Sequence, residues 1–324
     1  MENQFENRLD LGELSQKTKA VKDEISKIIV GQQQLIDLLL IALLADGHVL
    51  IEGVPGVAKT LTAKLLAKTI DADFRRIQFT PDLMPSDIIG TSIFNAKTSD
   101  FEFKRGPLFA NIVLTDEINR SPAKTQSALF EAMEERQITV DGNTYLLDKP
   151  FMVLATQNPI EQEGTYRLPE AQLDRFLFKI NVGYPSLEDE STMLLNFHNN
   201  RNVVDLEKVN KVLGKASVLS LKKLVGEVVV EDNLIKYITQ VVNATRKNPS
   251  LYLGASPRAS IAILNSAKAN ACLQNRDFVT PEDIKFVCFP VLRHRVLLTP
   301  EKEMEGIHVD SVIQQIIDKV EVPR

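Results

Sequence analysis

Gly53-Val54-Pro55-Gly56-Val57-Ala58-Lys59-Thr60-Leu61 combines residue types that can hold a chain of phosphates. Glycines let the backbone turn its N–H groups inward, so that several donors converge on one anion. A helix opening at Lys59-Thr60-Leu61 adds its positive end. Lys59 is long enough to reach the β- and γ-phosphates of a nucleotide, and the Thr60 hydroxyl suits Mg²⁺. Ala58 stands where the G-x-x-x-x-G-K-[ST] pattern has its last glycine. Its methyl group is tolerable if φ there is negative and costly if φ is positive.

Two adjacent acids, Asp116 and Glu117, close the apolar run Asn111-Ile112-Val113-Leu114-Thr115. Acids at the carboxyl end of a parallel strand face the crevice where such sheets bind ligands. Asp116 is the candidate to hold Mg²⁺ through water, and Glu117 to polarise an attacking water. Many strands end in acids, so the pair draws its meaning from the phosphate loop. Asn158 ends a second buried run, Phe151 to Gln157, where it either forms a turn or binds the γ-phosphate and the water. Arg175, in Leu173-Asp174-Arg175-Phe176, is poorly placed for its own phosphate loop and better placed for a neighbour's, although a surface ion pair is the commoner fate of such a residue. Arg258 follows Ser256-Pro257 in the first turn of a helix, where its charge opposes the dipole. An anionic ligand would relieve that conflict.

These side chains need a scaffold. His48 to Ile51 is short, apolar and β-branched, and Leu61 to Ala67 is apolar at helical spacing, giving strand, turn and helix in the order that a phosphate loop requires. Arg75 to Phe79 reads as the next strand, so the chain opens with a βαβ unit and an implied parallel sheet. Before it lie a helix from Leu9 to about Ile29, the break Val30-Gly31-Gln32 and an apolar helix from Leu35 to Leu44. Val30-Gly31 either covers an adenine ring or simply joins two helices. Two insertions interrupt the rhythm: a polar stretch from Asn95 to Asp100 between Phe94 and Phe101, and a hairpin from Gln137 to Leu147 turning at Asp141-Gly142. Ser121-Pro122 reads as an N-cap followed by Pro at N1. After Tyr184-Pro185 the alternation stops and almost everything reads as helix.

The division expected is an α/β core over residues 1–200 and a smaller all-α domain over 201–324. With 324 residues, 44% hydrophobic and 25% charged, the chain has the composition of ordinary globular proteins. A net charge of −5 gives no reason to expect nucleic acid as the main partner. Cys272 and Cys288 have no metal-binding spacing and suit a reducing compartment. The longest apolar run, Leu38 to Ala45, falls short of the ~20 residues a membrane span needs. Met1 to Arg8 is polar and carries no signal sequence, so a cytoplasmic location is expected.

Taken together these motifs resemble the AAA+ ATPases, and specifically the MoxR family. The resemblance rests on Gly-Val-Pro-Gly-Val-Ala-Lys-Thr with Ala58, on Asp116-Glu117-Ile118-Asn119-Arg120 continuing to Gln126 and Glu131-Ala132-Met133-Glu134-Glu135, and on Ala155-Thr156-Gln157-Asn158-Pro159 with Glu161-Gln162-Glu163-Gly164-Thr165-Tyr166. It extends through Leu173-Asp174-Arg175-Phe176 and Gly254-Ala255-Ser256-Pro257-Arg258-Ala259. It implies an AAA+ P-loop core with a parallel sheet flanked by helices and an α-helical lid. It also implies roles: Asn158 as first sensor, Arg175 as an arginine finger acting in trans, and Arg258 as second sensor on the lid, drawn onto the phosphates of ATP bound between sheet and lid. Asn95 to Asp100 would be the helix-two insert and Gln137 to Leu147 the pre-sensor hairpin. Family members hydrolyse ATP with Mg²⁺ in rings, usually hexamers. They act as chaperone-like remodellers or in maturation with metal insertion, often with a protein bearing a von Willebrand factor A domain.

A nucleic-acid motor or loader on the same scaffold, or a magnesium-chelatase-type subunit, is the alternative. The hairpin tip Asp141-Gly142-Asn143 carries no Lys or Arg, whereas a loop tracking a nucleic-acid backbone should carry cations. With the net negative charge, this favours a protein partner.

Overall fold

The computed structural model describes residues 11–158, 166, 168–199 and 205–323. Leu14, Thr18, Val21 and Ile25 recur at helical spacing and form the buried stripe of α1 (Gly12–Ser26). The next helix, α2 (Gln33–Leu44), has nine buried residues and is apolar on nearly every side. Its position explains this, because it packs against the sheet on one side and C-terminal helices on the other.

The sheet is built from β1 (Val49–Gly53), which leads through the phosphate loop to α3 (Lys59–Thr69) and on to β2 (Phe74–Gln78). Next come α4 (Pro85–Ile89) and the hairpin of β3 (Gly90–Asn95) and β4 (Asp100–Arg105). The buried strand β5 (Ile112–Asp116) leads to α5 (Ala123–Glu135) and a second hairpin, β6 (Gln137–Val140) with β7 (Asn143–Leu146). Then follow β8 (Met152–Gln157), α6 (Glu170–Leu173), β9 (Phe178–Val182) and α7 (Leu187–Asn199). The five long-range strands pair in the order β2-β5-β8-β1-β9, all parallel. Both faces are covered, so the central strands read as unbroken apolar runs. Ile112, Leu114, Met152 and Leu154 enter one apolar cluster, while Val113, Val153 and Ala155 enter the other, under α5.

Ser121 does not cap α5. Pro122 is extended (φ −60°, ψ 153°) and takes the cap position itself, so the helix begins one residue later than expected. The second hairpin turns as its sequence predicts, with Asp141 (φ 51°) and Gly142 (φ 77°) both left-handed. The two hairpins form one unit: the Ser92 hydroxyl donates to Asp141 Oδ2 at 2.6 Å, and Phe103 stacks on Tyr145 at 4.4 Å.

The C-terminal part contains α8 (Lys215–Gly226), α9 (Asp232–Lys247), β10 (Leu251–Leu253), α10 (Pro257–Leu273), α11 (Pro281–Leu292), β11 (Leu297–Leu298), α12 (Pro300–Met304) and α13 (Val309–Lys319). Helices dominate as expected, but β10 and β11 pair antiparallel into a short ribbon that the sequence reading missed. Apolar residues of α1, α2, one sheet face, α8 to α11 and α13 belong to a single buried cluster. The boundary expected between residues 200 and 201 lies outside the described residues. Among the described residues, no helix is long and apolar enough to cross a membrane.

Candidate functional site

The parallel sheet brings the ends of β1, β5 and β8 to one edge. The phosphate loop follows β1, Asp116 and Glu117 close β5, and Asn158 follows β8 directly. Gly53 allows β1 to lie close to β9, because a Cβ there would sit 2.5 Å from the Val182 carbonyl oxygen. Lys59 folds back across the loop and donates to the Gly53 carbonyl at 2.5 Å. Burial lowers the pKa of its ammonium, and Asp116, Glu117 and Glu52 oppose that shift. The acids therefore lie within electrostatic reach of the lysine, as phosphate chemistry requires.

Asp116 is buried. Its Oδ1 accepts from the Thr156 hydroxyl at 3.0 Å and its Oδ2 from Arg76 Nε at 2.5 Å. Glu117 takes a left-handed conformation, φ 56°, which costs a non-glycine residue about 1–2 kcal/mol. Its main-chain N–H donates to the same Thr156 hydroxyl at 3.0 Å, which fixes the turn. The carboxylate accepts from Gln78 Nε2 at 2.8 Å and lies 3.2 Å from Arg120 Nε. Thr156 thus positions both acids from the neighbouring strand. Arg76, Gln78 and Thr156 were not singled out by sequence reading, since only the strand order reveals that β2 and β8 flank β5.

Ala58 has φ 60°, the costly alternative for a side chain at that position. Replacing it with glycine removes a strain of about 1 kcal/mol, partly offset by the greater freedom of the unfolded chain. The Ala58→Gly variant should therefore melt about 2 °C higher in a thermal scan. A lower melting temperature would show that the left-handed turn is not strained.

Beside the loop opens a cavity of about 580 Å³, lined on one side by Pro55, Gly56, Val57, Ala58 and Leu61. Val30 lines it too, with Ile28, Ile29 and Gln32 around it. Gly31 (φ 76°) is needed for space as well as conformation, because a Cβ there would lie 2.8 Å from Asp189 Oδ2. The opposite wall is α7, whose Met193, Leu194 and Phe197 face the cavity. Sequence reading missed this wall, although the spacing of those three residues gave an amphipathic signal. Among the described residues, none beyond Phe197 lines the cavity.

Arg175 and Arg258 lie elsewhere, and together. Glu134 takes Arg175 Nη2 on Oε2 at 2.9 Å and Arg258 Nη2 on Oε1 at 2.8 Å. Arg175 Nη1 also donates to the Phe130 carbonyl at 2.9 Å. This carboxylate is the anion that relieves the Arg258 dipole conflict. Its position in the fold is set by His48, which precedes β1 and is buried. The Val153 N–H donates to His48 Nδ1 at 2.9 Å, so Nε2 carries the proton and donates to the Met133 carbonyl at 3.0 Å. Burial and nearby Arg136 hold its pKa well below the usual value, in keeping with a neutral ring. The end of α5 is thereby fixed at the amino edge of the sheet, where the Leu177 N–H also bonds to the His48 carbonyl at 2.8 Å. The five residues of β1 separate that edge from the phosphate loop, roughly 16 Å of strand. Arg258 is therefore not drawn over its own phosphate loop, contrary to the expectation of ATP held between sheet and lid. Pro159 and Glu161 to Thr165 lie outside the described residues.

A parallel five-stranded sheet with a phosphate loop, paired acids and a helical lid defines an AAA ATPase. Residues 48–178 match the ATPase family associated with various cellular activities, and residues 243–316 match the AAA lid domain. The chain is 51% identical to the uncharacterized protein YeaC of Bacillus subtilis over 94% of each chain. It is 46% identical to the chaperone MoxR1 of Mycobacterium tuberculosis over 93% of this chain and 81% of that one. The crystal structure of a protein from Cytophaga hutchinsonii assigned as an ATPase shares 47% identity and a TM-score of 0.89, over 97% of both chains. The chain belongs to the MoxR family of AAA ATPases, and it hydrolyses ATP.

Proposed function

We propose that this protein hydrolyses ATP at sites shared between copies of itself in a ring, a hexamer as the family resemblance implies, and uses the cycle to remodel or mature a protein partner. The observation that carries this reading is the placement of Arg175 and Arg258 at the amino edge of the sheet, a strand length from their own phosphate loop. Residues on that edge can meet a nucleotide only if another protomer presents it.

At each site the loop N–H groups and Lys59 bind the phosphates. Glu117 polarises the attacking water and Asn158 orients it. Arg175 and Arg258 of the next protomer meet the charge that develops on the transferred group. Asp116 and Thr60 offer a carboxylate and a hydroxyl, hard oxygen donors that fit Mg²⁺, which would neutralise phosphate charge when bound. Val30 opposite α7, with Gly31 (φ 76°) turning the chain beside it, forms the apolar slot for the adenine ring.

The working surface is the pair of joined hairpins, where Phe94, Phe101 and Leu146 stand 55%, 68% and 75% exposed. Apolar side chains beside the cation-free tip Asp141-Gly142-Asn143 of the second hairpin, with Lys97 the single cation at the tip of the first, suit polypeptide better than a nucleic-acid backbone. A partner with a von Willebrand factor A domain and a cytoplasmic location complete the reading, and the chaperone name of the M. tuberculosis relative supports action on a protein. Light-scattering mass with and without ATP and Mg²⁺, alongside phosphate release across protein concentration, tests it. Mass should rise to a ring and specific activity should rise with it. A monomer with concentration-independent turnover would refute the shared site.

A further inference from the structure

We propose that Arg295 is a positioning residue that locks the loop carrying Arg175 to the helix carrying Arg258, so that a protomer presents both cations to its neighbour as one rigid unit. This rests on the shared-site reading above. The Arg295 side chain is only 3% exposed, and its guanidinium makes five hydrogen bonds. Nε donates to Asp174 Oδ1 at 2.7 Å, Nη1 to the carbonyls of Leu177 (3.1 Å) and Val291 (2.6 Å), and Nη2 to those of Asp174 (3.1 Å) and Phe176 (2.6 Å). Asp174 and Phe176 are the two residues that flank Arg175.

The second oxygen of Asp174 completes the link. Its Oδ2 accepts from the Ser256 hydroxyl at 2.9 Å, and that same hydroxyl oxygen caps α10 by accepting from the Arg258 N–H at 3.2 Å. Three bonded steps thus run from Arg295 through Asp174 and Ser256 to Arg258. Across the gap, Glu134 joins the two guanidinium groups directly.

Neighbouring residues reinforce the same segment. His294 donates from Nε2 to the Phe176 carbonyl at 3.0 Å, and Arg293 Nη1 donates to the Lys179 carbonyl at 3.2 Å. A buried cation serving only to join two bodies could be replaced by apolar packing of similar volume. Here the planar fork spends four of its five bonds on the stretch Asp174 to Leu177, a geometry lysine cannot reproduce. Arg175 and Arg258 therefore keep their mutual spacing when the protomer moves, and the nucleotide-driven motion falls at the boundary between protomers.

The test uses two inactive full-length variants. Glu117→Gln keeps its cations but cannot hydrolyse, and Arg175→Ala keeps its phosphate loop but supplies no finger. Mixed in equal amounts they should recover phosphate release, because some loops of the second meet cations of the first. Arg295→Met is then added to one chain at a time. On the Glu117→Gln chain it should cut the recovered rate roughly tenfold or more, since misplacing a catalytic group is costly. On the Arg175→Ala chain, which supplies no finger to its neighbour, it should leave the recovered rate within about twofold. Equal loss in both placements would make Arg295 a structural residue and overturn the proposal, as would no loss in either. If the starting pair recovers nothing, the shared-site reading falls and takes this one with it. Should Arg295→Met fail to fold in a thermal melt, Ser256→Ala keeps Arg295 in place and removes only the last step. It should show the same asymmetry at roughly threefold, and symmetric effects would again overturn the proposal.

Discussion

The Glu117→Gln variant should bind ATP as tightly as the parent chain while its turnover falls by about 10²–10⁴-fold. Binding and chemistry separate here because different groups carry them. On the proposed reading the phosphates are held by loop N–H groups and Lys59, which in this structure donates to the Gly53 carbonyl rather than to Glu117. Glu117 stands at the end of β5 on a left-handed turn, held by the Thr156 hydroxyl, and its carboxylate meets Gln78 and Arg120. An amide in its place can still bond with Gln78 but cannot draw a proton from water. Titrating a fluorescent ATP analogue and measuring phosphate release on one preparation checks both halves. Ordinary turnover would remove Glu117 from its role. Loss of binding together with turnover would mean that the substitution disturbs the loop rather than the chemistry.

The phosphate loop was legible because its chemistry is local: nine consecutive residues specify strand end, turn and helix start. The sign of φ at Ala58 was not, since the residue alone tolerates either reading and only the loop path decides. The hairpin turn at Asp141-Gly142 was legible for the same local reason. The ribbon of β10 and β11 escaped because strands of three and two residues show no periodicity. Arg258 was the instructive intermediate case. Its conflict with the helix dipole marked it in the sequence, but its partner Glu134 lies 124 residues away, and only the fold brings α5 to it. The residues surrounding Asp116 were hidden in the same way. Arg76 and Thr156 belong to strands whose adjacency to β5 is a fact of sheet order. Helix α7 has no buried residue in this chain alone, so its apolar face gave a pattern without a purpose until the cavity was seen.

The Arg175→Ala variant should lose about 10³–10⁵-fold in turnover, the effect of removing an arginine finger, with little change in nucleotide affinity. Affinity is spared because the residue sits at the amino edge with Glu134 and Phe130, away from its own cavity. The same geometry predicts which variants can help each other. An Arg175→Ala protomer owns a complete loop, so any neighbour that supplies an intact Arg175 should restore it. In random equal mixtures with Glu117→Gln, about a quarter of the interfaces join a working loop to a working finger, and the mixture should recover on the order of a quarter of the parent rate. Mixing with a variant that carries both substitutions should recover nothing, because that partner brings no finger. Phosphate release from these mixtures, after subunit exchange is confirmed by a fluorescence label, distinguishes the two cases. Recovery with the single variant alone would establish that the finger acts across the boundary. A silent mixture in both would place the action of Arg175 within its own protomer, and the ion pair with Glu134 would then have to break and Arg175 cross the length of the sheet.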